Sequence, residues 1–330
     1  MTESREVAPG LVSVVICSYN NWPDVEMAIK SALHQTYPLL EVIVVDNSST
    51  DATPREVPRH FGDTIRYLRQ PNRECAGAYN TGFDVARGEF IQFMDGDDVL
   101  APNKIAKQVE VFRALPELEI VYGDVRKFQA MAGAVSWEDL TTQPEDDMLS
   151  ALLAGGKHGI GTLGSLFRRS VVERVGRWDE SLYCEDTDYY LRAAYAGCRF
   201  GHCPGSPMGF ARIRPGQKTA NNFALDRGFE VVLEKALGYV TREPYRSLLA
   251  AKLAQQRFIM AVSRRQMTTR DALAKLALAR STSPDTVAPL AYAVAYATIV
   301  LPGGAALVRS RMLRPLRRAA ARLLDYRVSE

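Results

Sequence analysis

Three apolar segments, each followed by polar residues, constrain the fold of this chain more than any other feature. They cover residues 11–17, 41–45 and 90–94 and are rich in β-branched side chains. Continuous apolar runs of this kind are typical of parallel strands that are buried on both faces. Residues 24–35 and 77–86 lie between them and carry apolar residues at helical spacing. This alternation predicts an α/β fold, with helices flanking a sheet.

The rest of the sequence predicts shorter elements and a change of character after about residue 220. We expect a short strand over 65–68, a helix over 102–115 and a strand over 119–128. Strand signals then stop, and helices are predicted over 245–264 and 269–280. The predicted domains are a polar N-terminal tail at 1–10, the α/β domain at 11–220, a helical extension at 221–285, and an apolar hairpin with a basic helix at 286–330.

Polar clusters follow all three apolar segments. They are residues 18–20, 46–49 and 95–98. Because ligands bind beyond the carboxyl ends of the strands in such sheets, we expect these clusters to form one site. Asp95 and Asp97 lie on either side of Gly96, so both carboxylates can reach one hard divalent cation beside phosphate oxygens. The alternative is a solvated acidic turn whose aspartates cap a helix.

Six motifs occur in order along residues 11–220: VSVVICSYN, EVIVVDNSSTD, NRECAGAYNTG, GEFIQFMDGDDVL, GRWDESLYCEDTD and GFARIRPGQKT. Together they resemble the GT-A fold family 2 glycosyltransferases. The resemblance implies a mixed α/β sheet flanked by helices, with a C-terminal helical extension. It implies inverting transfer of a sugar from a nucleotide-diphospho-sugar, with UDP as the expected nucleotide, and it does not identify the sugar.

The resemblance also assigns donor-binding roles to individual residues. Cys17 and Tyr19 correspond to the base pocket, where the Tyr19 ring would stack on the base. Asp46 corresponds to a carboxylate that accepts a hydrogen bond from the base. Asp97 corresponds to the direct ligand of a divalent metal, Mn or Mg, and Asp95 to a contact shared between metal and ribose. Further donor-binding candidates are Asn20, Gly77, Asn80 and Gly96. Asp98 is expected to start a helix or to support the metal ligands indirectly.

A second group of residues corresponds to the acceptor side. Asp186 matches the family's catalytic base, with Glu185 beside it. An inverting transfer needs one such base, because the diphosphate leaving group is already weakly basic. The alternative is that both carboxylates only stabilise a helix N-terminus. Trp178 and Asp179 match an acceptor-side motif, and a core role for Trp178 is the alternative.

The chain departs from the family pattern at a few positions. Asn47 and Tyr79 stand where Asp and Arg are frequent, and Tyr79 puts one expected donor contact in doubt. Arg214 stands where many relatives carry His. Arginine cannot ligate a metal but forms bidentate contacts with phosphate. We expect Arg214 and Lys218 to neutralise diphosphate, and the alternative is a solvated basic loop.

Cysteine usage and the N-terminal sequence predict a cytoplasmic protein. The five cysteines are irregularly spaced, which favours reduced thiols over a disulfide framework or a zinc site. Residues 1–10 are polar and lack the apolar stretch of a signal peptide. The net charge of +3 gives no reason to expect a nucleic-acid partner.

The C-terminal sequence predicts contact with a membrane surface. Residues 287–308 carry no charge and are interrupted by Pro302-Gly303-Gly304. Residues 309–322 then carry six arginines interleaved with apolar residues. We expect a hairpin and a basic amphipathic helix that bind anionic lipid on the inner face of the cytoplasmic membrane. A helix packed on the α/β domain and a dimer contact are the alternatives, so an oligomer is left open.

The leading function is transfer of a sugar to a hydroxyl of a glycan or lipid-linked acceptor, in cell-surface polysaccharide biosynthesis. Transfer to a polyprenyl phosphate would need the same membrane tail and stays an alternative. A non-catalytic glycan-binding or scaffold protein is a third possibility. A dinucleotide-dependent oxidoreductase is disfavoured, because residues 18–20 lack the glycine fingerprint after the first strand.

Overall fold

The computed structural model describes residues 6–131, 134–142, 145–154, 160–205, 207–214 and 216–263. The strands are β1 (Ala8–Ser18), β2 (Leu40–Asp46), β3 (Arg66–Arg69), β4 (Gly88–Asp95), β5 (Val99–Leu100), β6 (Ile120–Gly123), β7 (Val125–Met131), β8 (Ala134–Leu140), β9 (Leu166–Arg168), β10 (Phe200–Cys203) and β11 (Gly209–Arg212). The helices are α1 (Asp24–Leu33), α2 (Thr53–Phe61), α3 (Glu74–Val85), α4 (Lys104–Ala114), α5 (Met148–Ala154), α6 (Arg169–Val175), α7 (Glu185–Tyr195), α8 (Asn222–Leu237) and α9 (Tyr245–Ser263).

The main sheet has seven strands in the order β10-β6-β9-β4-β1-β2-β3. Its neighbours pair in parallel, except that β9 runs antiparallel to both β4 and β6. The register pairs Cys17 of β1 with Asp95 of β4, and Ser18 with Asp46 of β2. The predicted polar clusters therefore meet at one edge of the sheet.

Side chains of β1 alternate between two apolar cores. Val14 and Ile16 pack in a core shared with α1 and α4, whereas Val15 packs in a core shared with α3 and α7. On α1 the buried residues recur at helical spacing, at Val25, Ala28, Ile29 and Ala32. Because both faces of the sheet are covered by helices, its central strands are mostly apolar, and even their polar residues Ser13 and Gln92 are buried.

A smaller sheet has the order β5-β11-β7-β8. The single strand predicted over 119–128 is wrong, because the chain leaves the main sheet after β6 and enters this second sheet with β7. Asp124 lies at the break, where its carboxylate accepts hydrogen bonds from the Thr142 backbone (2.6 Å) and hydroxyl (2.9 Å). These two hydrogen bonds stabilise a turn at Asp124 that strand propensity does not indicate.

Most other sequence predictions agree with the structure within a few residues. The predicted strand over 65–68 corresponds to β3, and the predicted helices over 77–86, 102–115 and 245–264 correspond to α3, α4 and α9. Helix α8 is not among the predicted elements. The predicted helix over 269–280 and the tail at 286–330 lie outside the described residues.

The described residues form two compact units. One runs to Asn221 and also includes Gly238–Val240, and the other contains α8 and continues from Thr241. Beyond residue 221, only α8 and α9 are found in the part of the chain that the structure describes. In that same part, no helix has the length and apolar character needed to cross a bilayer.

Candidate active site

The turn after β1 is joined to the turn after β2 through Asn20. This residue adopts a left-handed conformation (φ 47°). Its side-chain oxygen accepts hydrogen bonds from the backbone of Thr50 at 2.7 Å and of Asp51 at 3.3 Å. Tyr19 beside it is 48% exposed. The structure thus gives Asn20 a positioning role, and it leaves the Tyr19 ring open for the stacking that the sequence predicts.

Asp46 is fully buried at the end of β2. Its Oδ1 accepts a hydrogen bond from the Ser49 backbone at 2.8 Å, and its Oδ2 accepts one from the Tyr67 hydroxyl at 2.7 Å. Burial and this carboxylate raise the pKa of Tyr67. Arg69 adds an ion pair at 3.6 Å. Asp46 therefore shapes the loop after β2, and its contact with a nucleotide base stays a prediction.

The acidic run begins where β4 ends and lies directly on the end of β1. The Gly96 N–H donates to the Cys17 carbonyl at 2.7 Å. A Cβ on Gly96 would lie 2.4 Å from Nδ2 of Asn21 and 2.7 Å from the Cys17 carbonyl oxygen. Only glycine allows this approach, and the predicted contact of Gly96 with the donor stays a prediction.

Asp95 lies among other carboxylates. It accepts a hydrogen bond from the Tyr79 hydroxyl at 2.7 Å. Burial raises the pKa of Asp95, and the negative charges of Asp97 and Asp186 raise it further. Tyr79 replaces the arginine that is frequent in the family, and it binds Asp95 instead of extending a positive charge into the site.

Asp97 is paired with the loop that follows β11. Nε of Arg214 lies 3.1 Å from Oδ2 of Asp97, and Nε2 of Gln217 donates to the same oxygen at 3.1 Å. Arg214 also pairs with Asp24 at 3.7 Å. The structure thus brings Arg214 to the predicted metal ligand, where its guanidinium carries positive charge.

Asp98 does not start a helix, so that interpretation is wrong, since β5 follows it directly. Its Oδ1 accepts the N–H of Arg212 at 3.1 Å. Burial, together with the charges of Asp95 and Asp97, raises the pKa of Asp98 well above its usual range. Asp98 therefore anchors β11 to the acidic run, and its indirect support of the metal ligands stays a prediction.

Glu185 and Asp186 begin α7. Nζ of Lys218 lies 3.0 Å from the Glu185 carboxylate. Burial raises the pKa of Glu185 to about 7, although Lys218 acts in the opposite direction. Asp186 is exposed, and its Oδ1 accepts the Thr187 N–H at 2.7 Å. Both carboxylates thus lie in the first turn of a helix, and their catalytic roles stay predictions.

Trp178 lies in the core rather than on an open surface. It is 2% exposed and stacks on Tyr189 with 4.0 Å between ring centroids. The structure therefore favours the core alternative for Trp178. Asp179 accepts hydrogen bonds from the backbone (3.0 Å) and hydroxyl (2.6 Å) of Ser181, which is a turn contact.

The side chain of Asn80 forms hydrogen bonds with the segment that precedes α7. Its amide donates to the Trp178 carbonyl at 2.9 Å and to Glu180 at 3.0 Å, and it accepts the Trp178 N–H at 2.9 Å. A Cβ on Gly77 would lie 2.3 Å from Cβ of Arg73 and 3.4 Å from a Glu180 oxygen. Both residues therefore have packing roles here, and their donor contacts stay predictions.

Several site residues were not identified from the sequence as such. They are Cys75, Tyr67, Asp24 and Gln217. Cys75 lies beside Cys17, with 3.3 Å between the two sulfur atoms. Its position four residues before Tyr79 on α3 is a signal that could have linked it to the site, because residues four apart share one helix face. All five cysteines are free thiols in the structure.

Comparison with known sequences relates this chain to a protein family. Residues 13–176, about half of the chain, match the sequence profile of Glycosyl transferase family 2. An uncharacterized glycosyltransferase of Nostoc sp. is 32% identical over 177 residues, which are 50% of this chain and 52% of that protein. The succinoglycan biosynthesis protein ExoO of Rhizobium meliloti is 31% identical over 208 residues, covering 59% and 58% of the two chains. The chain thus spans about half the length of these relatives.

Solved structures show the same fold. The mannosyltransferase PcManGT from Pyrobaculum calidifontis, solved with GDP-Man and Mn2+, has a TM-score of 0.60 at 22% identity, covering 98% of this chain and 90% of that one. TarS of S. aureus has a TM-score of 0.56 at 17% identity, with coverage of 97% and 92%. Both are GT-A glycosyltransferases, so the predicted GT-A fold is confirmed.

Proposed function

We propose that this protein, whose residues 13–176 belong to glycosyl transferase family 2, is a glycosyltransferase that moves a sugar from a nucleotide-diphospho-sugar to an acceptor hydroxyl with inversion. The observation that carries this proposal is the meeting of carboxylates from two distant segments at one sheet edge. The loop after β11 links the two segments, because its Gln217 donates to Asp97 at 3.1 Å and its Lys218 lies 3.0 Å from Glu185. The negative charges of Asp97 and Asp186 also raise the pKa of Asp95. Such perturbed carboxylates in one place are typical of functional sites.

The residues at this edge fit a divalent metal. Asp95 and Asp97 offer the carboxylate oxygens that Mn and Mg prefer. Asp97 already pairs with a positive charge, because Nε of the Arg214 guanidinium lies 3.1 Å from its carboxylate. We infer that Asp97 is the direct ligand and that Asp95 shares contacts with metal and ribose. When bound, the metal neutralises the departing diphosphate.

Residues of this chain would perform the remaining steps. The exposed ring of Tyr19 would stack on the base, and Arg214 and Lys218 would contact the diphosphate. The acceptor oxygen forms a bond to the anomeric carbon while the bond from that carbon to the diphosphate oxygen breaks. Asp186 takes the proton of the acceptor hydroxyl. Glu185, with its pKa raised to about 7 by burial, is the neighbouring group that tunes this base.

The donor and acceptor are proposed from chemistry and from the names of relatives. TarS was solved with UDP and with UDP-GlcNAc, and PcManGT with GDP-Man. We propose a UDP-sugar, as the sequence resemblance implies. ExoO is named for succinoglycan biosynthesis. A glycan or lipid-linked acceptor in cell-surface polysaccharide biosynthesis follows as the proposal for this protein.

A panel of UDP- and GDP-sugars tests the function directly. Binding is measured by calorimetry and hydrolysis by nucleotide release, each with and without Mn or Mg. We expect one nucleotide class to bind with a divalent cation, and Asp97→Asn to weaken binding and lower turnover by more than roughly tenfold. Asp63→Asn changes an exposed carboxylate in the short 3-10 helix Gly62–Thr64 and is the matched control.

The result separates the enzyme from a scaffold. If no nucleotide-sugar binds, or if Asp97→Asn behaves like Asp63→Asn, the proposal is wrong and a non-catalytic role is favoured. If transfer occurs to a polyprenyl phosphate and not to glycan hydroxyls, the fold and site stand and the proposed acceptor is wrong.

A further inference from the structure

Two thiols and a carboxylate converge at the sheet edge. Cys17 is the next-to-last residue of β1, Cys75 lies in the first turn of α3, and Asp95 ends β4. The two sulfur atoms are 3.3 Å apart. The Sγ atoms and a carboxylate oxygen all lie within 4.8 Å of one another. Donor atoms at these separations can reach a single ion.

The arrangement is built into the fold. Cys17 and Asp95 are directly paired in the parallel register of β1 and β4. Tyr79 lies one turn beyond Cys75 and donates to Asp95 at 2.7 Å, which orients the carboxylate. The amide of Asn47 donates to the Cys17 sulfur at 3.6 Å. Hydrogen bonds of this kind around a ligand set hold the ligands in place.

We propose that Cys17, Cys75 and Asp95 form a site for a thiophilic divalent cation of the Zn2+ class. Sulfur ligands select zinc and related ions over Mg and Mn, which prefer oxygen. Three protein ligands also leave the fourth tetrahedral position of zinc open. Binding transfers the two thiol protons to solvent and forms two metal–sulfur bonds. The site was not predicted from the sequence, because Cys17 and Cys75 are 58 residues apart.

The site has a consequence for transfer that rests on the proposed function. Asp95 cannot be a zinc ligand beside two thiolates and also contact the donor's hard metal and ribose. Zinc at this position should therefore inhibit transfer, and excess Mg or Mn should not displace it, because neither ion competes well for thiolates.

The test uses full-length protein reduced with a phosphine and freed of metal. Co2+ and Cd2+ are the probes, because thiolate ligation gives each a charge-transfer absorption band. We expect one equivalent of Co2+ to produce the band, and Zn2+ to abolish it by displacement. In Cys75→Ser the band should be lost and Zn2+ affinity should fall by more than roughly tenfold. Cys203→Ser removes another buried free thiol, on β10, and should retain the band.

Activity gives an independent readout. Zn2+ should inhibit the wild-type protein in excess Mg, and in Cys75→Ser the Zn2+ concentration for half inhibition, measured relative to that variant's own activity without Zn2+, should rise by more than roughly tenfold. A band that persists in Cys75→Ser, or wild-type protein without a band, would overturn the metal site. Pairing of the two thiols in air without a band would identify a redox dithiol instead. Because the band needs no turnover, its presence in a protein that transfers no sugar would separate this proposal from the proposed function. Circular dichroism and thermal unfolding check that each variant folds.

Discussion

Gly96 determines how closely the acidic run approaches β1. A methyl group there would meet the Asn21 side chain at 2.4 Å and the Cys17 carbonyl oxygen at 2.7 Å. The side-chain atom can move, but the backbone oxygen belongs to a central strand and cannot move freely. The separation of Asp95 and Asp97 from the end of β1 therefore depends on this single residue.

Gly96→Ala should displace the acidic run and destabilise the fold by about 1–3 kcal/mol, the usual cost of overpacking. Donor binding should weaken along with it, because both aspartates move. Chemical denaturation measures the first effect and calorimetry the second. Gly161→Ala is the control, since a Cβ there has nothing within 4 Å. Equal behaviour of the two variants would contradict the close approach.

The Glu185 carboxyl should make folding stability depend on pH. Burial raises its pKa from 4.5 to about 7, with Lys218 opposing the shift. The folded state then binds this proton more tightly than the unfolded state, so the contribution of Glu185 to stability is fully present below pH 4.5 and is lost as the pH rises through about 7. A shift of this size corresponds to roughly 3 kcal/mol at most.

In the metal-free protein, Glu185→Gln should remove the loss of folding stability that accompanies ionisation of this carboxyl. The variant therefore gains stability relative to wild type between acidic and neutral pH. Lys218→Met should extend the fall to higher pH, because the cation that favours the ionised carboxylate is gone. Denaturation across this range, with a chelator present, measures both effects. Parallel curves for wild type and Glu185→Gln would show that the carboxyl is not perturbed.

At the residue scale, the sequence identifies residues that lie at strand ends and misses residues that depend on tertiary approach. Asp46 and Asp95 follow apolar strands, so strand pairing alone predicts that they lie at one edge. The contact of Cys75 with Cys17 and the hydrogen bond of Tyr79 to Asp95 need the docking of α3. For Trp178 the sequence left an acceptor-side role and a core role equally open, and its burial against Tyr189 favours the core role.

Among the elements, the loop that follows β11 bears most directly on the site. Its Gln217 and Arg214 both bind Asp97, and its Lys218 binds Glu185. The Tyr183 hydroxyl also donates to the Lys218 carbonyl at 2.7 Å. One loop therefore contacts both the predicted metal ligand and the residue beside the predicted base.

Removing the Arg214 guanidinium should change metal and donor binding in opposite directions. In Arg214→Ala, Asp97 loses a competing cation, so Mn2+ should bind the donor-free protein several-fold more tightly. The nucleotide-sugar should bind roughly tenfold to a hundredfold more weakly, since charge-assisted hydrogen bonds are worth about 1.5–3 kcal/mol. Calorimetry with each ligand measures the two effects.

Arg59→Ala is the matched control, because Arg59 is an exposed arginine whose ion pair is with Glu56 on α2. Arg214→Lys should recover only part of the donor affinity, since lysine lacks the planar fork that contacts phosphate. If Arg214→Ala changes neither affinity, the loop is the solvated basic segment that the sequence left as an alternative.

At the element scale, apolar patterning predicted the central strands and missed the break at Asp124. Residues 119–128 have strand propensity throughout, so nothing local indicates that β6 and β7 belong to different sheets. Burial of Lys104 is a similar case. It is fully buried and donates to the side chains of Gln92 and Gln108 and to the Ser165 carbonyl. A lysine on an amphipathic helix would otherwise be expected at the surface.

At the scale of the whole molecule, residues 286–330 carry the main untested expectation, and they lie outside the described residues. We propose that this tail binds anionic membranes. Each of its six arginines between 309 and 322 can contribute about 1 kcal/mol near an anionic surface. The uncharged stretch at 287–308 would add apolar contact with the lipid.

Full-length protein should therefore float with vesicles that contain anionic lipid and much less with vesicles of neutral lipid alone. Changing the six arginines to Gln should lower partitioning by more than roughly tenfold, whereas changing them to Lys should retain it because the charge is kept. Salt near 1 M should weaken the electrostatic part, because the Debye length falls to about 3 Å. Equal flotation of the Gln and Lys variants, or none with anionic vesicles, would leave packing on the domain or a dimer contact as the role of the tail, and light scattering would then distinguish those two.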